Sequence, residues 1–369
     1  MEHPSLLMTV AAFLLLLGPL VLLHELGHYL VGRWCGVKVS AFSIGFGREL
    51  VGWTDRQGTR WKLSMLPLGG YVQFAGDMNA ASMPVDAIPL DVVERATWFH
   101  FKPLWQRFLI VLAGPLTNLI IAVMIFASFN LFYGRIVVPP VVAGFAGPSV
   151  AQAAGVQVGD RIVAIDGVPI TSFDQVREHV APFPGDTVPL VVERHGAQMT
   201  FNLTIASRTM RDEFGNAARI GMLGVAGAGP KRVRMGPVES LTTAVDQSFG
   251  VMGTMVTGIK QIVTGKRSVR ELGGPVKIAK YSGQRLALGW QEFVYFSAFI
   301  SINLAFINLL PIPALDGGHL AFYLAEWVRR KPLGLRSQEW AFRAGMAFVL
   351  ALMLFVTIND LLPADLFGQ

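Results

Sequence analysis

Residues 21–31 read VLLHELGHYLV. Within this hydrocarbon run His24, Glu25 and His28 carry ionisable side chains. On an α-helix, positions i and i+4 share one face, so His24 and His28 present two imidazoles to one point. Two imidazoles in that relation grip a divalent metal, and a glutamate beside the first serves as general base toward the attacking water. Zinc takes nitrogen and oxygen ligands in a tetrahedral array, and a catalytic zinc keeps one position for water. A charged group at the centre of a bilayer costs about 2.5–3.5 kcal/mol. Three ionisable residues in such a segment therefore point to function ahead of packing.

A catalytic zinc needs a third protein ligand. Residues 308–319 read NLLPIPALDGGH. Asp316 follows a Pro-x-Pro that breaks an apolar run, as helices break at membrane sites. His319, three residues on, is the alternative. His3, His100, His179 and His195 fall in loops or in soluble-looking sequence and read as surface residues.

These groups need elements to hold them. The chain has 369 residues, 52% hydrophobic and only 15% charged. Soluble domains run nearer a quarter charged, and here the apolar residues are clustered, which points to membrane spans. Four spans are expected, at about 5–32, 108–133, 292–315 and 341–362. No Lys or Arg precedes the first, and no small-residue cleavage site follows it, so it reads as a retained helix instead of a cleaved signal. The stretch 247–263 follows Asp246 and contains Lys260, which leaves too short an uncharged run to span, so it reads as an interfacial or packed helix. The single cysteine, Cys35, excludes an intrachain disulfide and a cysteine zinc site.

The net charge is +6, and its basic residues flank apolar runs, which fits membrane faces and not nucleic acid. Residues 33–107 hold nine Lys or Arg, and Arg329, Arg330, Lys331 and Arg336 lie between the last two spans, with Arg343 at the start of the fourth. The positive-inside rule then puts both basic segments in the cytoplasm, with 138–285 and both termini outside. His24 and His28 lie nine and five residues before Arg33, and Asp316 lies thirteen before Arg329. Both spans run inward, so the depth offset is only about 6–12 Å at helical rise.

HELGH together with NLLPIPALDGGH, about 290 residues apart, resembles the site-2 proteases, intramembrane zinc metalloproteases. GFGREL, PLGGYVQFAGD, AGPLTNLIIA and GGPVKIAK look like the bacterial RseP-like branch, and residues 138–208 resemble a PDZ domain. The resemblance implies a polytopic α-helical membrane protein with four transmembrane helices, a membrane-associated β-hairpin and an inserted α/β PDZ domain. Its layout would be an N-terminal membrane half (1–137, with a reentrant hairpin at about 40–76), the PDZ domain (138–208), an amphipathic connecting region (209–291) and a C-terminal membrane half (292–369). It implies His24, His28 and Asp316 as Zn2+ ligands and Glu25 as catalytic base. Asn303 and Asn308, with the Gly69-Gly70 edge, would position the substrate strand, because an unwound transmembrane helix needs polar partners for its backbone. One PDZ domain stands here where enterobacterial RseP has two.

The expected activity is cleavage within the transmembrane segment of single-span membrane proteins, in regulated intramembrane proteolysis. The resemblance suggests anti-sigma factors or remnant signal peptides, pre-cut by another protease. The expected setting is the bacterial inner membrane, in contact with lipid and with no nucleic-acid partner, and with the PDZ domain on the periplasmic side. The alternative from another class is a non-proteolytic PDZ scaffold with a structural metal. A metal transporter fits less well, since spans two and four carry almost no ionisable groups. Gly114-Pro115 with Asn118, in the second span, reads as small-residue helix packing.

Overall fold

The computed structural model describes residues 4–75, 92–211, 217–265, 273–331 and 334–361. Its elements begin with α1 (Leu6–Trp34), β1 (Val39–Thr54), β2 (Arg60–Phe74), α2 (Val92–Arg95) and α3 (Leu104–Tyr133). There follow β3 (Arg135–Val137), β4 (Val142–Phe145), α4 (Val150–Ala153), β5 (Arg161–Ile165), β6 (Val168–Pro169), α5 (Phe173–Val180), β7 (Thr187–Arg194) and β8 (Ala197–Thr204). Next come β9 (Ala206–Arg211), β10 (Ala217–Met222), β11 (Val225–Gly227), β12 (Lys231–Val233) and α6 (Pro237–Val263). The chain closes with α7 (Pro275–Leu288), α8 (Trp290–Leu309), α9 (Asp316–Arg329) and α10 (Leu335–Leu361). They divide into two compact units, Met1–Phe126 with Gly273–Asp360, and Ala127–Leu272 with Leu361–Gln369.

Among the described residues four helices are long and apolar enough to cross a membrane: Leu6–Trp34, Leu104–Tyr133, Trp290–Leu309 and Gln338–Leu361. The 247–263 stretch is not one of them. Away from water a helix must satisfy its own backbone, and α1 and α3 stay continuous through Pro19 and Pro115. Ala12, Leu16 and Leu20 repeat every fourth residue on α1 and pack with Phe293 and Ile300 of α8. α7 also crosses α1 closely, since a Cβ on Gly283 would stand 2.9 Å from Thr9 Oγ1.

The start of α7 is capped from outside the helix. Asp360, on α10, accepts hydrogen bonds from the Gly274 N–H at 3.0 Å and the Lys277 N–H at 3.1 Å, and Lys277 Nζ lies 3.6 Å away. A carboxylate suits this place because the first amides of a helix have no partner within it and carry partial positive charge. Gly274 is required here, because a Cβ would meet Asp360 Oδ2 at 2.7 Å.

The third span ends earlier than expected. Instead of running from 292 to 315, α8 stops at Leu309 with Leu310 extended, and α9 starts at Asp316. Pro311 and Pro313 cannot donate to the helical ladder and push the preceding residues out of the α region. The turn between them folds back on the first turn of α9. A Cβ on Gly317 would lie 2.2 Å from the Leu310 carbonyl oxygen, and one on Gly318 2.4 Å from that of Ile312. From α10, Gly345 rests against the same turn, its Cβ position falling 1.7 Å from the Pro313 carbonyl oxygen.

β1 and β2 form an antiparallel pair with an irregular register. Residues 41–44 are partnered both by 60–63 and by 70–73, so the first half of β1 lies between two halves of β2. The stretch Gly70–Phe74 is therefore an edge, paired along one side only among the described residues. Tyr29 of α1 meets Phe42 and Trp61 edge-on, at 5.8 and 5.2 Å between ring centroids, and fastens the pair to the helix. Phe46, Leu50, Val51, Trp53, Leu63 and Met65 are all exposed, so the hairpin carries apolar side chains outward on both of its faces.

In the second unit a four-stranded sheet runs β6-β5-β7-β8, beside the pairs β9-β10, β4-β11 and β3-β12. Its core joins Val142, Ile162, Ile165, Val176, Leu190, Val192 and Leu203. The domain does not end at 208 as expected. Leu223 is buried in the same core, and Val225 pairs with Phe145, so the chain after β9 returns to complete the domain. On α6, Ser240, Ala244, Ser248 and Gln261 are buried. Val238, Leu241, Phe249, Val256, Ile259 and Val263 form an exposed apolar stripe, and Glu239, Asp246 and Lys260 are exposed alongside.

Asp160 is buried under Arg194, which donates Nε to Oδ1 and a terminal nitrogen to Oδ2, both at 2.7 Å. These bonds hold the Asp160 carboxyl below the usual carboxylate range. A depressed carboxylate stabilises the fold above its unfolded pKa, about 3.9, and loses that contribution as pH falls. Scanning calorimetry of the full chain in detergent should show this unit's melting midpoint dropping from about pH 5 to about pH 3. In Asp160→Asn the midpoint should start lower and change less with pH.

Candidate metal centre and active site

α1 sets His24 and His28 one turn apart, both buried. Their Nε2 atoms lie 3.2 Å apart. Asp316 Oδ2, from the first residue of α9, is 3.1 Å from His24 Nε2 and 3.4 Å from His28 Nε2. Among the described residues this is the group that gathers three metal-ligating side chains, with candidate ligand atoms all within 4.8 Å. Asp316 Oδ2 is buried, yet aligned with neither imidazole for a hydrogen bond. The spacing fits a shared cation. Bonds of about 2.0–2.1 Å in a tetrahedron put ligand atoms about 3.3 Å apart. His319, the alternative third ligand, lies outside this group and packs against Phe322 and Tyr323.

Glu25 follows His24 and so points about 100° further round the helix, toward the hairpin. The Val72 backbone N–H donates to its carboxylate. A Cβ on Gly70 would stand 3.0 Å from Glu25 Cγ and 2.8 Å from the Ser43 carbonyl oxygen, so only glycine lets β2 pass this close. Gly69 has φ +125°, in the region that favours glycine, and its Cβ position falls 2.5 Å from the Phe46 ring. The structure thus brings Gly70 to Glu25, while Gly69 makes the bend before it. Asn303 and Asn308 sit half-buried in the last two turns of α8, and among the described residues no hydrogen bond joins either to His24, His28 or Asp316.

α3 supplies the wall behind the imidazoles. His28 Nδ1 is 2.8 Å from the Ile110 carbonyl oxygen, and His24 Nδ1 is 3.2 Å from the Asn118 carboxamide. Between these two lies Gly114. A Cβ there would fall 2.2 Å from His28 Nε2 and 2.7 Å from His24 Nε2, inside the ligand cluster itself. α1 answers with Gly27, whose Cβ would overlap Thr117 Oγ1 at 2.3 Å. Gly114 and Asn118 thus do more than pack helix on helix, since both border the His24–His28–Asp316 cluster. The available signal was their spacing, because residues 110, 114 and 118 recur every four positions and face α1 together.

α9 is tied down further along. Arg107 of α3 donates to Glu326 at 3.2 Å and lies 5.0 Å from the centroid of the Tyr323 ring, and Gln338 of α10 donates to Glu326 at 3.4 Å.

A profile described as Peptidase family M50 matches residues 12–352. This chain belongs to peptidase family M50. That is the site-2 protease family, and its members are metalloproteases. A "putative zinc metalloprotease" of Agrobacterium fabrum is 42% identical over 358 residues, covering 95% of each chain. One of the same description from Rhizobium meliloti is 43% identical over 360 residues, covering 96% of each. Metalloprotease MmpA of Caulobacter vibrioides is 35% identical over 389 residues, covering 98% of this chain and 97% of its own. A PDZ domain of an SdrC-like protein from Listeria monocytogenes matches 25% of this chain and 92% of its own length, at 18% identity and TM-score 0.19. That likeness is too slight to carry an argument. With its four apolar helices, this M50 metalloprotease is a membrane protein.

Gly114→Ala should cost the M50 protease its metal and its activity, because the added methyl occupies the space between the imidazole nitrogens. Metal content of the purified variant checks this. A loss of at least tenfold in metal affinity is expected, with little change in the melting of the second unit.

Proposed function

We propose that this chain is an intramembrane zinc metalloprotease that hydrolyses a peptide bond within the transmembrane segment of a single-span membrane protein. The observation that carries this reading is the convergence of His24, His28 and Asp316, with Glu25 beside them, on apolar helices. Bound among these ligands, zinc would supply Lewis acidity toward a peptide carbonyl and lower the pKa of water at the site. Glu25 takes the proton from the attacking water and returns it to the departing amine. Its place between α1 and the Gly70–Phe74 edge puts the base where an extended substrate strand would lie. That edge offers unpaired backbone groups to a substrate that has given up its helical bonds. Asn303 and Asn308 are proposed to hold the same unwound backbone.

The substrates proposed are anti-sigma factors or remnant signal peptides left by an earlier cut, in regulated intramembrane proteolysis. The bacterial relatives and the basic segments support placement in the inner membrane, with the termini and the β-rich unit on the periplasmic side. We read that β-rich unit as a PDZ domain, and the outward apolar faces of the hairpin and of α6 as lipid contacts. The scaffold alternative asks for a fourth protein ligand, as structural zinc sites have, and the cluster holds three among the described residues.

Glu25→Gln should keep zinc and lose turnover by at least 100-fold, the usual scale for a general base. Membrane proteomics of the host carrying Glu25→Gln in place of the native copy should show single-span proteins accumulating as membrane stumps. Unchanged stump levels, with both forms zinc-loaded, would overturn the protease reading.

A further inference from the structure

The geometry points to Asn118 as a positioning residue that fixes the tautomer of His24 and so turns its Nε2 lone pair toward the metal. This rests on the reading of His24 as a zinc ligand.

The two histidines are oriented by different kinds of group. His28 Nδ1 lies 2.8 Å from the Ile110 carbonyl, which can only accept. His28 Nδ1 therefore carries the ring proton, and its Nε2 is bare. For His24 the neighbouring group is the Asn118 carboxamide, 3.2 Å from Nδ1. His24 Nε2 faces His28 Nε2 and Asp316 Oδ2. To ligate from that nitrogen, neutral His24 must keep its proton on Nδ1 and needs an acceptor there.

A carboxamide presents either oxygen or NH2, by a 180° turn that leaves its shape unchanged. With NH2 toward His24, Nδ1 becomes the acceptor, the proton moves to Nε2, and Oδ1 is left buried without a hydrogen bond. With Oδ1 toward His24, the oxygen accepts from Nδ1–H and Nε2 is free to ligate. Only the second arrangement is compatible with a metal between His24, His28 and Asp316. The residue is placed for this task. Asn118 is fully buried, and its backbone carbonyl accepts a 2.7 Å hydrogen bond from Ser301 of α8. Ile110, Gly114 and Asn118 thus give α3 an acceptor, a gap and an acceptor at four-residue intervals, facing the two imidazoles of α1.

The test compares zinc affinity of wild type, Asn118→Leu, Asn118→Asp and His24→Ala, purified in detergent, stripped, and titrated with zinc against a chromophoric chelator. Asn118→Leu, which offers no acceptor, should weaken zinc by about 10–100-fold, the usual cost of losing a partner that orients a ligand. Asn118→Asp, which only accepts, should bind within a few-fold of wild type. The melting midpoint without zinc should be similar in both variants, so that the difference appears in the zinc-dependent increment. Wild-type affinity in Asn118→Leu would overturn the inference. So would an Asn118→Asp loss equal to that of Asn118→Leu, which would mean that a donor faces His24. If Asn118→Leu does not fold, Asn118→Ala takes its place in the same comparison. Equal zinc binding by wild type and His24→Ala would instead overturn the ligand reading on which the inference stands.

Discussion

Two imidazole nitrogens and a carboxylate oxygen stand 3.1–3.4 Å apart on apolar helices. In a medium that solvates charge poorly, such a group holds together only when each polar atom has a partner of the right kind. Much of the first unit can be read from that requirement. α3 engages the outward nitrogens of both imidazoles, the hairpin gives Glu25 a backbone amide, and the Pro311–Pro313 turn starts α9 at Asp316. Glycines stand at each close approach. Gly27 and Gly114 let α1 and α3 meet, Gly70 lets the strand pass Glu25, and Gly317 and Gly318 let the turn close on its own helix.

The parts of the site nearest the chemistry were legible in the sequence. His24 and His28 obey helical spacing within a run that has no other reason to carry charge. Asp316 follows two prolines that no continuous helix accommodates. Of Asp316 and His319, the structure brings residue 316 to the imidazoles, because it starts α9, while His319 joins the aromatic side chains around Tyr323. Asn118 was harder to read. A single asparagine in an apolar span is equally well explained by helix association. Only the identity of the opposing helix, and the register that sets 118 against 24 and 110 against 28, separates the two.

The fold shows the same division. Four apolar runs are long enough to declare themselves, and the charges in α6 keep it off that count. The end of the third span was misplaced because hydropathy continues through Leu309 and Leu310 after the hydrogen-bond ladder has stopped. The boundary at 208 failed for a different reason. The strands after it are short, and nothing local in Leu223 or Val225 says that they return to a core begun at Val142. That contact is non-local and carries no signature in either segment alone.

The contact of Gly345 with the Pro313 carbonyl gives α10 a part in the chemistry although it supplies no reacting group. The turn before Asp316 is wedged between its own helix and the last span, with no slack for a methyl group on either side. A helix in a bilayer takes its tilt partly from the thickness of the hydrocarbon around it. Since α10 braces the turn from which Asp316 projects, a change of tilt in α10 would reach the carboxylate that faces the two imidazoles. The seat of the last span on this turn is then part of the frame that holds Asp316 toward His24 and His28, although that span lends no side chain to the cluster.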